Sequence, residues 1–69
     1  MQVIVNHRAI ELFQGARVKE ALQRYALEYG GEIPEGPYIV TDRDGNELKI
    51  TGRLSENEEL YIKPKNKIT

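Results

Sequence analysis

The stretch Val18-Lys19-Glu20-Ala21-Leu22-Gln23-Arg24-Tyr25-Ala26-Leu27-Glu28-Tyr29 decides the fold. Its apolar residues recur three and four positions apart, which is the spacing of one stripe of an amphipathic helix. The stripe consists of Val18, Ala21, Leu22, Tyr25, Ala26 and Tyr29. Gly30-Gly31 follows directly, and glycine accepts the left-handed conformation of a helix C-cap. We therefore predict a helix that ends at this glycine pair.

Two short strands are predicted before the helix. Residues 2–6 form a β-branched run, and residues 9–13 alternate with period two, which places Ile10 and Leu12 on one face. The polar residues between the two runs are typical of a tight hairpin connection. Residues 14–16, which include Gly15, break the strand pattern before the helix begins.

Three further strands are predicted after the helix, over residues 37–41, 47–51 and 60–63. An Asp44-Gly45 step between the first two of them is a strong hairpin signal. The predicted order is ββαβββ, an α+β fold in which one helix covers one face of a mixed sheet. We expect one domain over residues 1–64 and a flexible basic C-terminal tail over residues 65–69.

Composition limits both the size and the class of the protein. The sequence has 69 residues, 39% hydrophobic and 30% charged, which fits one small globular domain. Ten Lys and Arg against eleven Asp and Glu give a net charge of −1, which argues against a dedicated nucleic-acid binder. Cysteine is absent, so disulfides and thiolate sites are excluded. The absence of cysteine leaves the compartment open, and the simplest expectation is a cytoplasmic location. No apolar run is long enough for a membrane span.

The predicted core follows from the inward positions of each element. Strand alternation and the helix stripe together select one set of residues. The core that they would form is modest, for a domain near the lower size limit for stability without disulfides or metal. The set is Val3, Val5, Ile10, Leu12, Val18, Leu22, Tyr25, Ala26, Tyr38, Val40, Leu48, Ile50, Leu54, Leu60 and Ile62.

The element order resembles the β-grasp, or ubiquitin-like, fold, and within it the ThiS/MoaD sulfur carriers of thiamin and molybdopterin synthesis. The resemblance rests on residues 1–6 as the opening strand, 13–18 at the helix entry, 18–22 in the helix and the acidic turn within 52–62. It implies a β-grasp scaffold without a cofactor. It also implies a protein partner such as an activating enzyme, a sulfurtransferase or a cofactor synthase.

One feature of those carriers has no counterpart in this sequence. The family ends in Gly-Gly, whose terminal carboxylate is adenylated and converted to a thiocarboxylate. Here the last residues are Lys65-Asn66-Lys67-Ile68-Thr69, and the only Gly-Gly is Gly30-Gly31. The resemblance therefore implies a ThiS-like module related to the carriers. The alternative is a carrier activated at its C-terminus, at Thr69 or on a further glycine tail.

Catalytic and metal-binding patterns are not found in the sequence. His7 is the only histidine and lies in a predicted hairpin turn. No further metal-ligand residue and no nucleophile occurs at a diagnostic spacing from it. Asp42, Asp44 and Asn46 alternate around Gly45, but a calcium loop needs further ligands, so a plain turn is favoured. We therefore expect no enzyme activity, no catalytic residue and no bound metal.

The sheet face opposite the helix is the best candidate for binding. Strand alternation sends Ile4, Phe13, Ile39 and Tyr61 to this face, next to Lys63. Four apolar side chains on one face either form a partner-binding patch or do not, because they lie scattered or because Phe13 turns into the core at the strand end, and the sequence favours neither. If they form a patch, these five residues are the predicted contacts. Because a shift of one residue in register would invert every assignment, the register decides the matter.

A third hypothesis comes from the likeness to TGS domains, which share the fold. It assigns RNA or nucleotide binding to Arg53, Tyr61, Lys63, Lys65 and Lys67. Such binding must weaken steeply with salt, because it depends on phosphate contacts. The near-zero net charge argues against it.

Overall fold

A computed structural model describes residues 1–65 of the chain. The structure is α+β, with one helix packed on a mixed four-stranded sheet. Its elements are β1 (Gln2–Val5), β2 (Arg8–Glu11), α1 (Val18–Tyr29), a short 3-10 turn (Gly30–Glu32), β3 (Tyr38–Thr41) and β4 (Glu58–Pro64). The predicted fold class is therefore confirmed at the level of one helix on a mixed sheet.

The first and last strands lie side by side in the centre of the sheet. The strand order is β2-β1-β4-β3, in which β1 pairs with β4 in parallel and with β2 antiparallel. β3 pairs antiparallel with β4 at the other edge. The β1–β2 turn consists of Asn6 and His7, whose φ angles of 49° and 69° are those of a type I′ hairpin turn. The hairpin predicted from the sequence is thus present.

The predicted strand over residues 47–51 is wrong, so the order is ββαββ rather than ββαβββ. Only one bridge, Thr41 with Glu47, and one hydrogen bond, from the Leu48 amide to the Val40 carbonyl at 2.7 Å, join this segment to β3. The chain then turns back, with the Gly52 amide donating to the Lys49 carbonyl at 2.9 Å. The carbonyls that a strand would use instead serve the helix.

Residues 50–52 cap the N-terminus of α1. The Val18 amide donates to the Gly52 carbonyl at 3.0 Å, and the Lys19 amide donates to the Ile50 carbonyl at 2.9 Å. The first amides of a helix have no partner within the helix, and these two carbonyls supply one. Residues 50–52 are therefore a backbone cap rather than a strand.

The C-terminus of α1 also differs from the expectation. Gly30 has φ −55° and ψ −28°, which is right-handed, so the predicted left-handed cap is wrong. The chain tightens into the 3-10 turn instead, and this turn brings Glu32 back to the helix. Tyr25, which is fully buried, donates its hydroxyl to Glu32 Oε1 at 2.6 Å.

A polar network fixes this end of the helix to the β1–β2 hairpin. Arg8 binds both carboxylate oxygens of Glu32, and its guanidinium lies 4.5 Å from the centre of the Tyr29 ring. Asn6 donates to the Tyr25 hydroxyl at 3.3 Å and accepts the Ile62 amide at 2.9 Å. The arginine and the tyrosine hydroxyl lower the pKa of Glu32 to about 2. Burial and the hydrogen bond to Glu32 raise the pKa of Tyr25.

The core lies between α1 and the inner face of the sheet. Most of the predicted core residues are buried or half-buried, but Ala26 and Ile50 are exposed, and Ala16 and Ala21 are buried without having been in the predicted set. Ile50 is exposed because its segment turns to cap the helix. The buried hydrophobic residues are Val3, Val5, Ile10, Leu12, Ala16, Val18, Ala21, Tyr25, Val40, Leu60 and Ile62.

The last strand is longer than predicted. β4 begins at Glu58, two residues before the predicted start, and ends at Pro64. The Lys65 amide donates to the Pro37 carbonyl at 2.9 Å, so Lys65 continues the pairing with the β3 side. The rest of the predicted tail, residues 66–69, lies outside the described residues. Across residues 1–65, no helix has the length and apolar character needed to cross a bilayer.

Candidate partner-binding face

The outer face of the sheet is the one that α1 does not cover. Among residues 1–65, α1 contacts β1 and β2 from the inner side, and no helix or strand packs on the outer side. Val3, Val5, Leu60 and Ile62 point to the core, so the alternating positions of β1 and β4 point outward. The outer face is therefore built from the alternate residues of all four strands.

Three of the predicted contacts lie together on this face, on three adjacent strands. Ile4 on β1 lies between Ala9 and Glu59, and Ile39 on β3 lies opposite Lys63. Tyr61 on β4 lies between them. Ile4 and Ile39 lie opposite Glu59 and Lys63, which are well separated along β4, and two strand spacings of about 4.8 Å separate β1 from β3. Ile4 and Ile39 are therefore roughly 16 Å apart at the two ends of a diagonal row, with Tyr61 about 8 Å from each. All three side chains are half-buried, whereas Lys63 is exposed.

Tyr61 is held in place by two contacts. Its hydroxyl donates to Glu59 Oε1 at 2.9 Å, and its ring meets the His7 ring edge-on, with centroids 5.4 Å apart and an interplanar angle of 68°. The hydrogen bond to Glu59 raises the pKa of Tyr61, an effect that Arg43 partly opposes. The tyrosine is therefore a neutral, oriented side chain in the middle of the face.

His7 is a member of this face that sequence reasoning missed. The sequence predicts it in a hairpin turn, and the turn is where it lies. The parallel pairing of β1 with β4 brings that turn beside Tyr61. No local signal in the sequence indicates this contact, because it depends on the pairing of the first and last strands.

Phe13 is not beside the other predicted contacts. It follows the end of β2, is 63% exposed, and lines a cleft of ≈ 300 Å³ between the β2 edge and α1. Leu27, which is 79% exposed, lies across this cleft. The structure thus brings together Ile4, Ile39, Tyr61 and Lys63 and places Phe13 at a separate edge.

The residues of the nucleotide-binding hypothesis are divided between the two ends of the molecule. Arg53 forms a bridge with Arg17 at the N-terminus of α1, whereas Lys63 lies near the far end of β4. Lys65 is exposed just beyond that end, and Lys67 lies outside the described residues. A single phosphate contact cannot include both Arg53 and Lys63.

The turn over residues 42–46, which follows β3, forms hydrogen bonds within itself. Asp42 Oδ1 accepts the amides of Asp44 and Asn46, each at 2.9 Å, and these amides lower the pKa of Asp42. This geometry is an Asx-type turn, as the plain-turn interpretation predicts. Within residues 1–65, no three His, Asp or Glu side chains are placed to hold a metal ion.

Comparison with known proteins adds no family to these observations. No protein-family model matches the chain, and no curated protein matches it either.

Proposed function

We propose that this chain is a non-catalytic β-grasp module that binds a protein partner through its outer sheet face. The mixed sheet, the single helix and the hairpin before the helix are compatible with a β-grasp fold. The module is related to the ThiS/MoaD carriers and works beside an activating enzyme, a sulfurtransferase or a cofactor synthase. The observation that carries the proposal is the row Ile4, Tyr61 and Ile39 on adjacent strands.

The geometry of Tyr61 supports a contact residue. Tyrosine is enriched among the residues that dominate binding energy at protein interfaces. A side chain that is already oriented loses less conformational entropy on binding, and Glu59 and His7 orient this one. Tyr61 therefore offers both apolar area and a fixed position to a partner.

The rim of the face supplies charge. Lys63 is exposed opposite Ile39 and forms no ion pair within residues 1–65, whereas Glu59 already binds the Tyr61 hydroxyl. A partner that presents an apolar centre and a carboxylate near Lys63 would match this arrangement. Four short strands offer much less area than the ~800 Å² per partner of a standard interface. We therefore expect a transient complex.

The test compares three variants with the wild type in affinity capture from lysate of the source organism. Ile4→Asp/Tyr61→Asp disrupts the apolar row, and Lys63→Glu reverses the rim charge without touching a half-buried side chain. Ile50→Asp is the matched control, because Ile50 is exposed and lies on the helix-capping segment. Circular dichroism verifies the fold of each variant.

We expect the same proteins to be enriched by the wild type and Ile50→Asp, weakly by Lys63→Glu and not by the double variant. Equal enrichment by all four folded proteins would mean that the face is not the binding surface. A mass increase at the C-terminus after incubation with a cognate activating enzyme, ATP and sulfide would instead favour the carrier function.

A further inference from the structure

Two arginines lie directly opposite each other where the chain enters α1. Arg17 and Arg53 are partners in an isolated antiparallel bridge. Side chains opposite each other in such a pair lie on the same face with Cβ atoms about 5 Å apart, and like charges in this position repel. The arrangement therefore costs stability unless an anion lies between the two guanidinium groups.

The same two residues line a cleft. Its volume is ≈ 270 Å³, and Gly15, Ala16 and Leu54 complete its walls. The Arg17 Nη1 donates to the Thr51 carbonyl at 2.8 Å, which anchors one guanidinium at the cleft. Within residues 1–65, neither arginine forms an ion pair with a carboxylate.

The donors of this cleft are side chains rather than the helix terminus. The Val18 and Lys19 amides are already bound to loop carbonyls, and the Glu20 carboxylate accepts the Arg17 amide at 2.7 Å. The planar guanidinium of arginine binds oxyanions through paired hydrogen bonds. Two of them side by side favour a doubly charged anion over a carboxylate.

We propose that Arg17 and Arg53 form a binding site for a phosphate dianion, either free phosphate or a phosphoryl group on a larger molecule. The site is independent of the proposed partner-binding face, since it lies at the N-terminus of α1 and uses none of the same residues. The bound anion would neutralise the paired charges and join the helix entry to the segment that precedes β4.

The test is an NMR titration with inorganic phosphate at low salt, followed on the backbone amides of residues 15–17 and 52–54. Arg53→Gln removes one guanidinium that makes no hydrogen bond within residues 1–65, so folding is not at risk. Arg43→Gln is the control, because it removes the same charge from an exposed turn residue that does not line the cleft.

We expect saturable shifts confined to these amides, with a dissociation constant of about 1–10 mM for an exposed, two-arginine site. Arg53→Gln should weaken binding roughly 5-fold or more, and Arg43→Gln should leave it unchanged. Sulfate should bind equally at about pH 5.5 and pH 8, whereas phosphate should bind more tightly at pH 8, where it is a dianion.

Shifts that do not saturate, or equal weakening by both substitutions, would overturn the proposal in favour of general charge attraction. Phosphoserine distinguishes the two sources of the ligand. Tighter binding of phosphoserine than of inorganic phosphate assigns the site to a phosphorylated side chain, and the reverse order assigns it to free phosphate.

Discussion

The two ends of α1 are fixed to the rest of the molecule by different kinds of interaction. At the N-terminus, the carbonyls of Ile50 and Gly52 accept the first helical amides, so the contact is mainly made by backbone, with the Arg17 Nη1 bond to the Thr51 carbonyl beside it. At the C-terminus, side chains make the contact, through Tyr25, Glu32 and Arg8. A backbone contact depends on the path of the chain, whereas a side-chain network depends on residue identity and on charge. The two ends should therefore respond differently to mutation and to pH.

The largest effect is expected from Tyr25→Ala at the side-chain end. Tyr25 is the largest fully buried residue, and removal of a buried aromatic ring costs about 3–5 kcal/mol. Since a domain of this size has a total stability of only about 5 kcal/mol, the variant should be largely unfolded. Tyr25→Phe keeps the ring, removes only the hydroxyl, and should lose about 1 kcal/mol. Urea unfolding followed by circular dichroism measures both. Equal losses would show that the hydroxyl network, and not the ring, dominates this end.

A smaller effect is expected from Gly52→Ala at the backbone end. A Cβ at this position would lie 3.1 Å from the Lys49 carbonyl oxygen and 3.7 Å from Val18 Cγ2, so the capping turn must shift. We expect a loss of about 1 kcal/mol, in the range of mild overpacking. Gly31→Ala is the control, since its Cβ would meet no atom within 4 Å. A Gly52→Ala variant as stable as Gly31→Ala in urea unfolding would contradict this account of the cap.

The smallest effect is the pH dependence, which separates the two ends most clearly. Because the pKa of Glu32 falls from 4.5 to about 2 on folding, its ionised form stabilises the fold above about pH 4.5. That contribution is lost as the pH falls towards 2. The difference in Tm between the wild type and Glu32→Gln should therefore shrink over this interval. The difference between the wild type and Gly52→Ala should stay constant, because this substitution adds and removes no ionisable group. Thermal unfolding between pH 7 and pH 2 measures both, and a Glu32→Gln difference that does not change with pH would exclude the ion pair as its cause.

The sequence predicted those parts of the fold that depend on local pattern. The helix bounds, the first hairpin and the outward positions of Ile4, Ile39 and Tyr61 follow from periodicity, and the register agrees with them. The segment over residues 47–51 alternates as a strand does, yet the unpaired amides of α1 compete for its carbonyls. A period-two pattern in the sequence cannot reveal that competition, because the competition arises only when the two segments meet in the folded protein.

The candidate site was predictable to the same extent. Alternation correctly placed Ile4, Ile39 and Tyr61 on one face, but Phe13 lies beyond the end of β2, where alternation no longer fixes direction. The contact between His7 and Tyr61 and the pairing of Arg17 with Arg53 join residues far apart in the chain. Such contacts depend on topology, which residue spacing alone does not specify.

The parallel pairing of β1 with β4 has a consequence for how the protein is made. Val3 lies beside Glu58, so the centre of the sheet joins residues from nearly opposite ends of the described chain. On the ribosome, β1 and the hairpin emerge early but lack their central neighbour until β4 has left the exit tunnel. Contacts of such long sequence separation also close slowly, because the loop entropy is lost before the contacts form. The domain should therefore fold only after β4 has left the exit tunnel, and the unpaired edge of β1 is exposed to aggregation until then.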